Sequence, residues 1–133
     1  MKIPEWVYSL KYVDGGRDKS GVDCWGLIVV LNKELRNIDI PDYPSIVLSG
    51  LDTCEKTSGE LKKQLGSQNL FHEVNTPEYG DAVLINVMGN PLHIGFVLDD
   101  SMMLHTGRKH GVVTENFRGM KWKSKIAGIY RIW

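Results

Sequence analysis

Hydrophobic positions change their spacing once along this chain. Up to Arg36 they recur every three or four residues, and from Phe71 onward they alternate with polar ones. The opening stretch has apolar or aromatic residues at 6, 7, 10 and 13, which predicts a short helix after Pro4, ended by Asp14-Gly15-Gly16. Residues 17 to 22, Arg-Asp-Lys-Ser-Gly-Val, read as a loop by composition. Asp23 is a good N-cap residue, and the pattern is helical from Cys24 to about Arg36, with 24, 28, 31 and 35 on one face. Trp25, Leu27, Val29 and Val30 make its first two turns apolar on nearly every side, so that half should be covered by other elements. Residues 32 to 37 turn polar, and there the helix should surface.

A polar excursion with Pro41, Pro44 and Pro77 fills the interval from Ile38 to Tyr79, and it holds one helix candidate at 58 to 66. Strand candidates follow at 71 to 74, 81 to 87, 92 to 98, 102 to 106, 111 to 114 and 126 to 131. Helices first and an antiparallel sheet afterwards is an α+β layout, with N-terminal helices packed on a C-terminal sheet. A length of 133 residues with 42% hydrophobic content is enough for one domain, residues 1 to 133, with a real core.

Charge narrows the partners. Sixteen Lys and Arg balance sixteen Asp and Glu, so no net field favours nucleic acid or an anionic membrane surface. Lys121, Lys123 and Lys125 around Trp122 are the local exception, and they read as a solvated, alternating strand end. The N-terminus lacks the apolar core of a secretion signal, and no window approaches the ~20 apolar residues of a membrane helix. The expectation is a soluble protein made in the cytoplasm, with Cys24 and Cys54 as free thiols.

One of those thiols sits at the predicted first turn of a helix. Unpaired N–H groups and a partial positive charge there favour an anion, so the pKa of Cys24 should fall; the alternative is a small buried hydrophobe. A histidine partner would hold the thiolate and later pass its proton to a leaving amine. Alternation over residues 91 to 99 sends Ile94, Phe96 and Leu98 to the core and His93, Gly95 and Val97 to the other face, where the glycine should leave space for a substrate backbone. His105 shares that face only if the intervening loop has odd length, 98 to 100 or 99 to 101. The first of these sets the two imidazoles directly opposite, with Cβ atoms roughly 5 Å apart. His72 and His110 read as surface or satisfied residues. A zinc site from Cys24, His93 and His105 lacks any supporting Cys-x-x-Cys or close His pair, so neither metal nor cofactor is expected.

The residues resemble the NlpC-type cell-wall peptidases, a branch of the papain-like cysteine peptidases. Tyr12-Val-Asp-Gly-Gly16 is similar to the family's aromatic-x-x-Gly-Gly lead-in, and Gly21-Val-Asp-Cys-Trp-Gly26 to its Asp-Cys-x-Gly motif. Pro77-Glu-Tyr-Gly-Asp81 resembles the entry to the first long strand, and His93-Ile-Gly resembles the His-x-Gly strand, with His105 twelve residues later. The resemblance implies a papain-like fold in which Cys24 is the nucleophile, His93 its general base and acid, and His105 the group that orients His93. Tyr12 stands at the family's upstream tyrosine, which helps position the site and the oxyanion; read from the residues alone, it equally well anchors the first helix. Asp23 reads as a cap and loop organiser. Asp14 departs from the aromatic or apolar residue common at its position, which bears on substrate preference.

The implied substrate is a peptide stem of peptidoglycan. Trp25, the loop from Gly16 to Asp23 and Ile40-Pro-Asp-Tyr-Pro44 look more like the bacteriophage tail branch, which implies a virion protein acting at the bacterial wall, with tail proteins as partners. The alternatives are a tail structural module with little turnover and a thiol acyltransferase on the same fold.

Overall fold

The computed structural model describes residues 3–41 and 71–132. Pro4 precedes a single helical turn, α1 (Glu5–Tyr8), shorter than the apolar spacing predicts. Residues 11 to 13 are instead drawn into extended pairing: the Val22 N–H donates to Lys11 O (2.9 Å) and the Val13 N–H to Val22 O (3.0 Å). Residues 17 to 22 are not a plain loop. They form a tight hairpin, β1 (Arg17–Asp18) and β2 (Gly21–Val22), whose tip is held by the Ser20 N–H on Asp18 Oδ1 at 2.9 Å.

Helix α2 (Cys24–Arg36) starts where the sequence predicts, because the Asp23 carboxylate accepts the Gly26 N–H at 2.7 Å. Asn37, in the left-handed region (φ 53°), ends it. Residues 24 to 28 are all buried. Asn32 is also buried, against the expectation that the helix surfaces there; its amide donates to Ile28 O (2.8 Å) and its oxygen accepts from Arg36 (2.7 Å).

Six strands make one sheet: β3 (Phe71–Val74), β4 (Ala82–Val87), β5 (Asn90–Val97), β6 (Met102–His105), β7 (Val113–Asn116) and β8 (Ile126–Ile132). Their order is β3-β8-β4-β5-β6-β7, and every neighbouring pair is antiparallel. The last strand is therefore inserted between the first two. The fold is α+β and papain-like, few helices on a large antiparallel sheet. Lys121, Lys123 and Lys125 are not a strand end. The Trp122 and Lys123 N–H groups fold back onto Gly119 O (3.1 and 2.9 Å), and a 3-10 turn at Lys123–Lys125 leads into β8. The helix candidate at 58–66 and Cys54 lie outside the described residues.

The sheet is covered on both faces, which is why Ala82 to Ile85 can be a continuous apolar run. On one face α2 supplies Leu27, Ile28 and Leu31 against Leu84, Ile94, Phe96 and Leu104. Trp25 extends that core to β3, its ring 6.1 Å from Phe71, while its indole N–H donates to Pro41 O at 3.1 Å. The other face holds a smaller cluster of Val83, Ile85, Val97, Met103 and Phe117, flanked by Trp122. Asp81, nearly fully buried, ties β4 to β8 by receiving Arg131 on both oxygens (2.8 and 2.9 Å) and the Glu78 N–H (2.7 Å).

Candidate active site

Cys24 lies at the first turn of α2, against β5. Its position depends on two close backbone approaches that only glycines permit. A Cβ on Gly26 would stand 1.8 Å from Gly16 O, and one on Gly16 would stand 2.3 Å from Gly21 O. Asp23 locks this arrangement. Fully buried, it accepts the Gly26 and Gly15 N–H groups (2.7 and 3.2 Å) and an Arg17 guanidinium N–H at 2.6 Å. The role of cap and loop organiser is thus the one its contacts describe.

The thiol is 2% exposed, and its environment departs from the expectation of a lowered pKa. Burial pushes it up and the Asp23 carboxylate adds to that; N–H groups of Ile94 and Trp25 and the Arg17 charge oppose them without prevailing. The helix terminus does contribute, through the Trp25 N–H, but a dry site outweighs it. The hydrogen bond from Ile94 also fixes where the sulfur is: beside the peptide that joins His93 to Ile94.

On the sheet, β5 and β6 pair with Phe96 opposite Leu104 and Val97 opposite Met103, so the loop is 99 to 101, the second of the two odd lengths. His93 and His105 share a face on a diagonal, with His93 Nε2 2.9 Å from His105 Nδ1 and the rings edge to face at 5.1 Å. Space beside Gly95, expected to be open, is taken: a Cβ there would meet Met103 Sδ at 2.8 Å. Side chains of Met103 and Val83, from the two neighbouring strands, take the space beside the glycine.

Two residues not singled out as site residues complete the row. Glu115 on β7 places Oε2 2.9 Å from His105 Nε2, and Trp122 donates its indole N–H to the same oxygen at 2.5 Å. The Trp122 ring lies nearly parallel to His93 at 6.4 Å and edge to face with His105 at 5.3 Å. A full negative charge therefore stands behind His105, where a neutral third group alone had been expected. Pattern could have found Glu115, because Met103 pairs with Glu115 and His105 with Val113, putting that carboxylate on the histidine face. Trp122 had no such signal, since it comes from a turn.

His93 is pushed down to about 3, first by burial and then by His105 and His110, with Glu115 opposing. His105 is also lowered, burial outweighing the hydrogen bond and charge of Glu115. Glu115 stays low against its own burial because His105, Trp122 and Lys121 all donate to it. The resting row is thus neutral imidazole, neutral imidazole, carboxylate, with the thiol protonated at the neighbouring Ile94 N–H. A histidine depressed in the folded state protonates first in the unfolded chain, so stability falls as pH drops from about 6.5 toward 3. Between pH 7 and 5 the His93 contribution is at most about 2 kcal/mol, the most that a ring titrating at about 6.5 when unfolded can give over that window. Urea midpoints should fall over that range in the native chain and fall less in His93→Gln; equal slopes would contradict the assignment.

Tyr12 sits at the rim, its hydroxyl pushed up by burial first and then by nearby Cys24, Asp14 and Asp23. Arg108 stacks over its ring at 5.3 Å and pairs with Asp14, so the position that departs from the family pattern carries an ion pair over the tyrosine. His110, read as a surface residue, is exposed, yet its ring is 5.4 Å from His105. Among the described residues no group of three His, Cys, Asp or Glu side chains is placed to hold a metal ion, and no helix is long and apolar enough to cross a membrane.

Comparison with known proteins follows the same residues. The chain is 23% identical over 123 residues to the murein DD-endopeptidase MepS/murein LD-carboxypeptidase of Escherichia coli K12, and equally to that of strain O157:H7. That match covers 92% of this chain and 56% of the relative, so the chain spans about half the length of the curated relatives it matches. Among solved structures it resembles the NlpC/p60 domain of the peptidoglycan hydrolase SagA (TM-score 0.60, 17% identity, 96% of this chain and 91% of that one). It is similar too to an NlpC/P60 family protein of Bacillus cereus ATCC 10987 (TM-score 0.61, 19% identity, 92% of this chain and 35% of that one). At such identities the likeness is one of fold. The sequence profile of the NlpC/P60 family matches residues 9–131, taking in the hairpin, α2 and nearly all of the sheet, and this chain belongs to that family.

Proposed function

We propose that this chain is a cysteine peptidase that cleaves amide bonds in the stem peptides of peptidoglycan. The observation that carries the reading is the hydrogen-bonded row His93–His105–Glu115, with the Cys24 sulfur held at the N–H of Ile94, the residue next to His93 in the chain. Because thiol and imidazole rest neutral, the sulfur is activated by general-base transfer as it attacks, not held beforehand as an ion pair. The Sγ–H proton passes to His93 as the Sγ–C bond forms. The oxyanion is met by the Cys24 N–H at the helix start, with Tyr12 beside it. His93 then returns the proton to the departing amine as the C–N bond breaks. Water, deprotonated by His93, releases the acyl group and restores the thiol. His105 holds His93 in register throughout, and Glu115 faces the positive charge that develops on the pair.

Family membership and the likeness to murein hydrolases support the substrate class. Purified sacculi incubated with the chain should release peptide fragments identifiable by mass spectrometry, and the cut termini name the bond. Intact sacculi after prolonged incubation would overturn the proposal.

We carry the tail assignment within this proposal. Trp25, the Gly16 to Asp23 loop and Ile40-Pro-Asp-Tyr-Pro44 motivate a protein made in the cytoplasm, carried in a phage tail and opening the wall locally. A specific observation also favours the low-turnover module: a thiol only 2% exposed and pushed toward its protonated form. The sacculus assay separates the two, since a module that only binds a tail neighbour releases nothing.

A further inference from the structure

We propose that Glu115 is a positioning residue: braced by Trp122, it sets the tautomer of His105 and through it that of His93, leaving the unprotonated nitrogen of His93 at Nδ1. This rests on the reading of Cys24 and His93 as nucleophile and base.

Donors and acceptors can be counted along the row. Glu115 Oε2 receives the Trp122 indole N–H, a group that can only donate, and Oε1 faces the Lys121 ammonium at 3.3 Å, which also only donates. Two such donors, one of them a full cation, favour the ionised carboxylate, in keeping with its downward shift. An imidazole nitrogen 2.9 Å from an ionised carboxylate oxygen must carry the proton, so His105 is Nε2–H. A neutral His105 then has a bare Nδ1, and that atom is the one 2.9 Å from His93 Nε2. His93 must donate there. Neutral in its turn, it has only Nδ1 left to accept. One carboxylate, two side chains away, fixes which nitrogen can take the thiol proton.

The surroundings keep the row in this state. Charged or titratable groups lie around it: His110 from the segment before β7, and Lys121 and Lys125, both over the Trp122 ring (5.0 and 5.6 Å), from the turns before β8. Burial and His110 oppose a proton on both imidazoles, His105 adds to this at His93 and Lys121 at His105, and Glu115 opposes them. His110 serves as an internal contrast. Its Nδ1 lies 2.7 Å from its neighbour's carbonyl, Gly111 O, which can only accept, so that ring is protonated at Nδ1.

Long-range proton–nitrogen correlation spectra of the full chain at pH 7 read each tautomer directly, with no need for turnover. The expected result is Nε2–H for His93 and His105 and Nδ1–H for His110. In Glu115→Leu the His105 tautomer should become mixed and His93 should follow, and kcat on a stem peptide should fall by about 100-fold at unchanged KM, a step down from the ~10⁴-fold loss when a wrong tautomer is imposed on the base itself. Glu115→Gln keeps an acceptor without the charge; it should preserve both tautomers, lower kcat by less, and move the acid limb of the pH profile to lower pH. His105 protonated at Nδ1 in the native chain would overturn the proposal. So would unchanged tautomers in a natively folded Glu115→Leu chain. Expected tautomers in a chain that leaves sacculi intact would sink the peptidase reading and leave this assignment standing, whereas cleavage with the opposite tautomers would do the reverse.

Discussion

Replacing Cys24, the proposed nucleophile, with alanine should leave a folded chain whose proposed hydrolysis of stem peptides falls by about five orders of magnitude, because the nucleophile in a triad-type site cannot be deleted in part. What remains is the oxyanion donor at the helix start and substrate binding, which do not form a covalent intermediate. The fold should tolerate the change. Cys24 is packed in the main core, but alanine removes only one heavy atom and a group whose burial already disfavours its charged form. A loss of about 1 kcal/mol is expected, read as a small shift in urea midpoint. Turnover retained in the alanine variant would mean that another group attacks. Loss of folding would mean that the sulfur is structural.

Asp23→Ala should have the opposite profile, a large loss of stability from a residue that forms no bond to substrate. Three donors converge on this fully buried carboxylate: the Gly26 and Gly15 N–H groups and Arg17, itself mostly buried. Alanine leaves the guanidinium without its charge partner and the first turn of α2 without its cap. Together these cost about 3 to 5 kcal/mol, most of it from the stranded Arg17. Asp23→Asn retains the cap but not the ion pair and should fall between the two. Chemical denaturation of the three chains tests the order. A native-like midpoint in Asp23→Ala would show that the hairpin and Gly16 contacts hold the helix start without it.

What could be read in the sequence was local. The Asp23 cap, the onset of α2 at Cys24 and the alternation that separates Ile94 and Phe96 from His93 each depend on a few neighbouring residues, and they stand in the structure as the pattern predicts. The shared face of His93 and His105 depended on a loop length left at two odd values, and the observed 99 to 101 converts direct opposition into a diagonal contact. What could not be read was long-range. Insertion of β8 between β3 and β4 leaves no trace in periodicity, nor does the second apolar cluster that fills the space beside Gly95. The burial of Cys24 could not be read for the same reason: a helix terminus is visible in sequence, whereas the burial that pushes the thiol up involves β5, seventy residues away. Trp122 was hidden by a turn that alternation misread as a strand end.

On the proposed mechanism, one sulfur attacks because one imidazole takes its proton. A stem peptide carrying an electrophilic carbonyl in place of the scissile amide, incubated with the chain and followed by intact mass and peptide mapping, tests it most directly. A single adduct on Cys24 is expected, formed at least 100-fold more slowly in His93→Gln, the lower end of what a positioned general base contributes. An adduct on Cys54, or equal labelling rates with and without the imidazole, would contradict it.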